Sequence, residues 1–197
     1  DTIVDGTAEL MIDGLGLIAC AAKSCASTPG YAEATVVKCT DAVISPGLVN
    51  PHDHITYANT GPQGHGTERY EHRHDWRKGI RGHTKLNAPG GAKTEVVLAA
   101  ELRFLMNGVT SAASAGGADG LVRNVDSTAA QLEGLPLKIV NSQTFPLKDS
   151  GITTFPTACS GYSASRDKTS TALSYDGYLP HISEGIGPEA RLEFTCQ

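Results

Sequence analysis

The chain has 197 residues and a formal net charge of −5. This length is sufficient for a buried core. The 16 Lys and Arg residues are spread along the sequence, which argues against a nucleic-acid partner because such partners select clustered basic residues. No run of about 18 apolar residues occurs, so the sequence predicts no membrane span.

The first 42 residues predict a series of short strands separated by turns. Asp5-Gly6 and Asp13-Gly14 are dipeptides that favour tight hairpin turns. The strand-like runs lie around and beyond these turns, at Thr2–Val4, Glu9–Ile12, Leu15–Ile18 and Thr35–Cys39.

Three of the five cysteines fall in this first segment. Cys20 and Cys25 flank a short turn-like stretch, and Cys39 lies in the next strand-like run. We expect a disulfide between two of the three, which favours a secreted or periplasmic location over a cytoplasmic one. The alternative is buried free thiols, as in many cytosolic cores. The cysteines lack the Cys-x-x-Cys spacing of a structural zinc site.

A histidine pair follows an apolar run that predicts a short buried strand, Val43–Val49. Side chains alternate between the two faces of an extended segment, so His52 and His54 are expected to point the same way, with Asp53 directed elsewhere. Both rings can then reach one metal ion. The alternative is a pair of hydrogen-bonded histidines with no metal.

Residues 55–93 form a long polar connection, and the stretch Glu68–Arg77 contains the only Trp of the chain. Its polar side chains suit substrate recognition, and arginine in particular suits carboxylates. We expect substrate contacts from Arg69, Tyr70, His72, His74, Trp76 and Arg77. The alternative is a surface helix with charged flanks.

Helices and strands are predicted to alternate in the remainder. Thr94 is a candidate N-cap of a helix that ends at Gly108. The further expected elements are a strand at Val109–Ala113, a helix at Leu121–Leu132, a strand from Leu137, a loop over 145–166, a helix at Asp167–Tyr175 and a strand at Tyr178–Ile182.

Three phrases resemble landmarks of the amidohydrolase superfamily, the metal-dependent hydrolases and deaminases. Ser45–His54 is similar to the opening His-x-His motif, Asn107–Ser111 to the entry of the second barrel strand, and Leu179–Gly185 to the His-x-x-Glu-Gly strand end. The resemblance implies an α/β fold, a partial (β/α)8 TIM-type barrel with a small N-terminal β-sandwich segment. Residues 1–42 would be the sandwich segment and 43–197 the N-terminal half of the barrel.

The resemblance also implies a site. His52, His54 and His181 would bind a divalent metal, most readily zinc, with iron or manganese as alternatives. Glu184 would take a proton from a metal-activated water and deliver it to the leaving nitrogen. Other roles for Glu184 are a substrate hydrogen bond, an outer-sphere carboxylate or a solvated loop residue. No lysine is placed to bridge two metals, because Lys138 lies too early in its strand, so one ion is expected.

The sequence thus predicts an amidohydrolase-type metallohydrolase that cleaves C–N bonds of a small molecule such as a cyclic amide, an amide or a ring amine. A whole barrel needs about 250 residues, so this chain would be part of the enzyme, completed by a second polypeptide or a C-terminal fragment. One alternative is a non-catalytic or processed fragment of this fold that needs a second polypeptide to complete its site. Another is an extracellular binding domain with structural histidines.

Overall fold

A computed structural model describes residues 4, 6–127, 129–134 and 140–197. The chain divides into two compact units, Asp1–Ser45 and Pro46–Gln197. Each unit has its own secondary structure, and each is described separately below.

The first unit is built on one antiparallel hairpin. Strand β1 (Glu9–Ile12) pairs with β2 (Ile18–Ala22), and Met11 lies opposite Cys20. The Asp13 carboxylate accepts hydrogen bonds from the backbone N–H groups of Leu15 and Leu17, so the residues predicted to start the second strand belong to the turn instead.

The predicted β-sandwich segment is wrong, because the described residues before 46 contain this hairpin and no second sheet. A short 3-10 helix, Tyr31–Glu33, follows the hairpin, and residues 35–39 form no strand. Most of the predicted strand at Thr2–Val4 lies outside the described residues. The expected disulfide is confirmed as Cys20–Cys25, while Cys39 is a free, exposed thiol.

Parallel strands form the framework of the second unit. Strands β3 (Leu48–Asn50), β4 (Val109–Ala112) and β5 (Arg123–Asn124) make one sheet in that order. Strands β6 (Asn141–Gln143) and β7 (Tyr178–Pro180) make a separate parallel pair. Residues 135–139, where the third barrel strand was expected to begin, lie outside the described part of the chain.

Four α-helices are present in the described residues. Their bounds are Arg73–Lys78 (α1), Thr94–Met106 (α2), Thr169–Ala172 (α3) and Pro188–Cys196 (α4). The predicted N-cap of α2 is wrong by one residue: Thr94 is the first residue of the helix, and Lys93 is its N-cap. None of these helices combines the length and the apolar character that a bilayer span requires.

The predicted partial (β/α)8 TIM-type barrel is wrong. The parallel strands that the structure describes form sheets of three and two strands, and neither curves into a closed or half-closed barrel. Strands of two or three residues form few ladder hydrogen bonds. Among the described residues, one backbone hydrogen bond, from Val140 N–H to Val125 O, joins the chain beside the two sheets. The side of β3 is also open, since Leu48 and Val49 are 61% and 63% exposed rather than buried.

The predicted helix at Leu121–Leu132 is replaced by β5 and a 3-10 turn because of a distant carboxylate. Glu101 of α2 is fully buried and accepts hydrogen bonds from the backbone N–H groups of Ala118 and Val122 and from the Asn124 amide. A buried carboxylate needs such donors. Glu101 thereby holds the residues that lead into β5 in a non-helical conformation.

Within the described ranges, buried apolar side chains form two small clusters. One joins Ile55 to the inner face of α2, where Val97 and Ala100 are buried. The other surrounds a second disulfide, Cys159–Cys196, which the sequence did not predict. This bridge ties the end of α4 to the loop before Tyr162.

The two disulfides differ in the length of chain that they close, 37 residues for Cys159–Cys196 and five for Cys20–Cys25. From the loop-closure entropy of the unfolded chain, the bridge that closes the longer loop should stabilise the fold by about 4 kcal/mol and the other by about 2 kcal/mol. We therefore expect the double alanine variant of Cys159 and Cys196 to lower the free energy of unfolding more than that of Cys20 and Cys25. Urea unfolding without reductant measures both, and the reverse order would contradict this assignment.

Candidate metal centre

The structure brings together the three histidines that the sequence predicted as metal ligands. His52 and His54 follow β3, and His181 follows β7. The Nε2 atoms of His54 and His181 are 3.0 Å apart. The His52 ring centroid is 4.9 Å from that of His54 and 4.5 Å from that of His181. The ends of β3 and β7, strands of two separate sheets, therefore supply three imidazoles to one point.

Backbone contacts to the segment after β4 hold the first two histidines in place. Asp53 N–H donates to Ala113 O and Ile55 N–H donates to Ser114 O. Asn50 accepts from His52 N–H and donates to the Asp53 carboxylate, which keeps that carboxylate engaged locally. The two histidine rings are thus placed by short-range contacts on an extended backbone.

The tautomer of His181 is set by a backbone carbonyl. Its Nδ1 lies 3.2 Å from Gln143 O, and a carbonyl oxygen can only accept, so Nδ1 carries the hydrogen. The Nε2 lone pair is then free, and this is the atom that faces His54. Metal-binding histidines are commonly oriented in this way.

The surroundings favour neutral rings. Burial lowers the pKa of His54 below the ordinary imidazole value, and the neighbouring His52 lowers it further, while Glu184 acts in the opposite direction. Burial likewise lowers the pKa of His181 against the opposing charge of Glu184. Neutral imidazole is the form that binds metal ions.

A cavity of about 380 Å³ opens beside the histidines. Its lining residues are Pro51, His52, Leu179, Pro180, His181, Ile182 and Glu184. The Glu184 side chain is 43% exposed, and its carboxylate accepts a hydrogen bond from Arg73 Nη1 at 2.7 Å. The predicted catalytic carboxylate and two of the predicted ligands therefore share one cavity.

A buried polar segment at the start of α1 contacts Glu184 of the cavity lining through Arg73. His72, Arg73, His74 and Asp75 are all buried. His72 is the N-cap of the helix: its ring accepts from His74 N–H, and its own N–H donates to the Asp75 carboxylate. The Arg73 guanidinium donates to Glu184, to Asp149 and to Thr144 O.

Among the described residues, two groups have the side chains and the spacing to hold a metal ion. The first is the set of His52, His54 and His181, and the second consists of His72, His74 and Glu193. Their hydrogen bonds differ from those of the first group. Because His72 Nδ1 accepts from a backbone N–H, its Nε2 carries the hydrogen and donates to Glu193 Oε1 at 2.8 Å. His74 Nε2 contacts Asp149, and its Nδ1 faces the Arg77 guanidinium. The nitrogens of this group are occupied by hydrogen bonds.

The six residues predicted to contact substrate have varied surroundings, and none of them lines the cavity beside His52. His72 and His74 belong to the buried network described above. Tyr70 donates to Thr84 O, and the Arg77 guanidinium lies 4.6 Å from the centre of the Phe145 ring. Arg69 is exposed, and Trp76 is half-buried.

Sequence reasoning missed three charged residues that organise the site: Arg73, Asp149 and Glu193. Arg73 lies inside the polar stretch that the sequence singled out, so its position between two histidines was an available signal. Asp149 and Glu193 stand in unremarkable surroundings in the sequence. Their partners at the start of α1 are 75 or more positions away, so no local pattern indicates this pairing.

Comparison of this chain with protein-family models, curated proteins and solved structures finds no match. The resemblance to the amidohydrolase superfamily therefore stays a prediction from three short motifs. The function of the chain is therefore inferred from the geometry of its described residues.

Asp149 gives a test of the buried network through pH. Burial alone would raise the pKa of Asp149, but the hydrogen bond from His74 and the charge of Arg73 outweigh it and hold the pKa below its usual value. The carboxylate therefore adds stability above its unfolded pKa of about 3.9, and this stability is lost as the pH falls through the lower folded value. The side chain is 2% exposed. We expect Asp149→Asn to cost about 3–5 kcal/mol at pH 7, as for other broken buried pairs.

The same variant should show a smaller loss of stability between about pH 5 and pH 3 than the wild type. Urea unfolding over this pH range gives both quantities. Asp119→Asn, at an exposed carboxylate, is the matched control and should leave the profile unchanged. If Asp149→Asn loses as much unfolding free energy between pH 5 and pH 3 as the wild type does, Asp149 does not contribute to the acid sensitivity.

Proposed function

We propose that the chain binds one divalent metal ion through His52, His54 and His181. The observation that carries this proposal is the carbonyl contact of His181, which leaves its Nε2 lone pair 3.0 Å from His54 Nε2. A tetrahedral zinc ion with ligands at about 2.0–2.1 Å brings nitrogen ligands to about 3.3 Å from one another, close to this separation. A direct hydrogen bond between the two rings is the competing explanation, and metal content separates the two.

Zinc is the favoured ion, with iron or manganese as alternatives. Neutral imidazole is a ligand for zinc and for iron. Three protein ligands also leave a coordination position open, which distinguishes catalytic from structural zinc sites. The second histidine group is less suited to an ion, because the His72 nitrogen nearest Glu193 carries a hydrogen and the Arg77 guanidinium faces His74.

We further propose that this site hydrolyses C–N bonds of a small molecule, such as a cyclic amide, an amide or a ring amine. A bound metal would supply a Lewis acid and lower the pKa of a water held there. Glu184 lines the same cavity. In this proposal it would accept a proton from the water and pass it to the leaving nitrogen. The ion pair with Arg73 fixes the direction of this carboxylate.

The rival function is an extracellular binding domain whose histidines are structural. Two disulfides suit an oxidising compartment, and we propose a secreted or periplasmic location on that ground. The location fits both functions. The decisive difference is whether the histidines hold an ion that the binding domain would not need.

Metal content tests the ligand set. Single alanine variants of His52, His54 and His181 should each lower bound zinc relative to the wild type, because each removes one donor from the ion. His65→Ala is the matched control, since His65 is exposed and its ring contacts the nearby Glu68 O. Elemental analysis after dialysis gives the stoichiometry, and a wild type without metal after zinc loading would refute the centre.

Glu184 is tested by Glu184→Gln, which keeps the side-chain shape and removes its basicity. We expect bound metal to be retained and turnover to fall by about 10²–10⁴-fold. Metal analysis and steady-state hydrolysis of cyclic amides, open amides and ring amines are run on the same preparations. Loss of the metal would make Glu184 a supporting group of the ion, and near-normal turnover would remove it from the mechanism. A metal-loaded wild type that cleaves none of these substrates would favour a non-catalytic fragment that needs a second polypeptide to complete its site.

A further inference from the structure

We propose that Glu193 of α4 is a positioning residue that holds the turn carrying His181 and Glu184 in the shape required for metal binding. This inference rests on the proposed metal centre, and it concerns a residue 12 positions beyond the nearest predicted ligand. The Glu193 side chain is 1% exposed, and it is absent from the lining of the cavity beside His181. Its effect must therefore act through other residues.

The turn needs an external constraint because of its backbone. Ser183 has φ = 59°, in the left-handed region that non-glycine residues rarely adopt. Such conformations persist where the surroundings overdetermine them. Ser183 stands between His181 and Glu184, so its conformation sets the direction of both side chains relative to each other.

Helix α4 supplies that constraint through two hydrogen bonds to Ser183. The Ser183 N–H donates to Glu193 Oε2 at 2.9 Å. The Ser183 hydroxyl donates to Ala190 O at 2.8 Å. Backbone and side chain of the strained residue are thus both fixed to one helix.

The Glu193 carboxylate is itself fixed by His72. Its second oxygen accepts from His72 Nε2 at 2.8 Å, and the capping bond of His72 determines which ring nitrogen carries the hydrogen. A carboxylate that bridges two donors in the protein interior has one orientation available. His72 and Ser183 therefore share one acceptor group.

The other side of the turn packs against the same segment. Arg73 N–H donates to Glu184 O, and Ile186 N–H donates to Glu71 O. A Cβ atom at Gly185 would lie 2.7 Å from Glu71 O, so only glycine permits this approach. The turn is enclosed between the start of α1 and helix α4.

Helix α4 cannot shift easily to compensate for a lost contact. Its last turn is linked to Cys159 through Cys196. Its first turn is paired with Arg81 through Glu189. Glu193 lies between these two attachments, so removing its carboxylate releases Ser183 rather than moving the whole helix.

The test is metal affinity in Glu193→Gln. The amide has nearly the same shape, but its single oxygen can accept from only one of the two donors, and its NH2 group then faces the other. We expect the affinity for zinc and for cobalt(II) to fall by about 10–100-fold, the range known for residues that orient metal ligands. The visible spectrum of the cobalt(II) form should also change, because His181 is no longer held in the same position.

Glu189→Gln is the matched control. It makes the same substitution on the same helix, at a buried carboxylate whose partner is Arg81 and not the turn. We expect its cobalt(II) spectrum and its affinity to match the wild type. Circular dichroism and thermal unfolding confirm that each variant is folded.

Ser183→Ala is the second variant, and it serves if Glu193→Gln does not fold. It removes the bond to Ala190 O while leaving the buried carboxylate unchanged, and it should weaken metal binding by about three- to tenfold. If the wild type binds metal, unchanged affinity and spectrum in folded Glu193→Gln would overturn the role of Glu193 and leave the metal centre intact. If only Ser183→Ala folds, unchanged values would overturn the constraint of Ser183 by α4 on which that role rests. A wild type that binds neither ion would overturn both.

Discussion

The second unit depends on the burial of four consecutive polar residues, His72 to Asp75, at the start of a six-residue helix. A helix this short contributes little stability by itself. Its side chains instead connect segments that are far apart in the sequence, since they bind Glu193, Asp149 and Glu184. Buried charges of this kind are tolerated only when every partner is present. The arrangement is therefore sensitive to the loss of any one carboxylate.

This dependence explains the position of the candidate metal centre. The three histidines come from strand ends, but the turn that carries His181 is shaped by contacts from α1 and α4. Arg73 reaches from the interior to Glu184 at the edge of the cavity. The polar interior thus acts as the support for groups that face solvent.

Local sequence signals predicted the features that depend on neighbouring residues. The Asp13-Gly14 hairpin, the start of α2 and the convergence of His52, His54 and His181 belong to this class. The barrel failed as a prediction because strand length and sheet closure depend on contacts between distant segments. The region before Asn124 illustrates the point, since the carboxylate of Glu101 draws in donors 17 to 23 positions away and favours an extended chain over a helix.

The residues of the candidate site fall into the same two groups: those that local signals predict and those that depend on distant contacts. The ligand histidines were predictable, because alternation along an extended segment and a short motif at the strand end suffice to place them. The stretch Glu68–Arg77 was singled out by its polarity, which the sequence alone associates with a surface. Pairing with Asp149 and Glu193 makes burial of His72 to His74 within that stretch possible, and such pairing leaves no trace in the local pattern.

The buried carboxylates also alter how amide protection is distributed along the chain. Amide hydrogens in loops usually exchange quickly with solvent, because few of them are bonded to the protein interior. Here the loop amides of Ala118 and Ser183 donate to Glu101 and Glu193, both of which are shielded from water. Their exchange requires opening of the interior around those carboxylates. A map of slowly exchanging amides would consequently trace the buried carboxylates as well as the helices and strands.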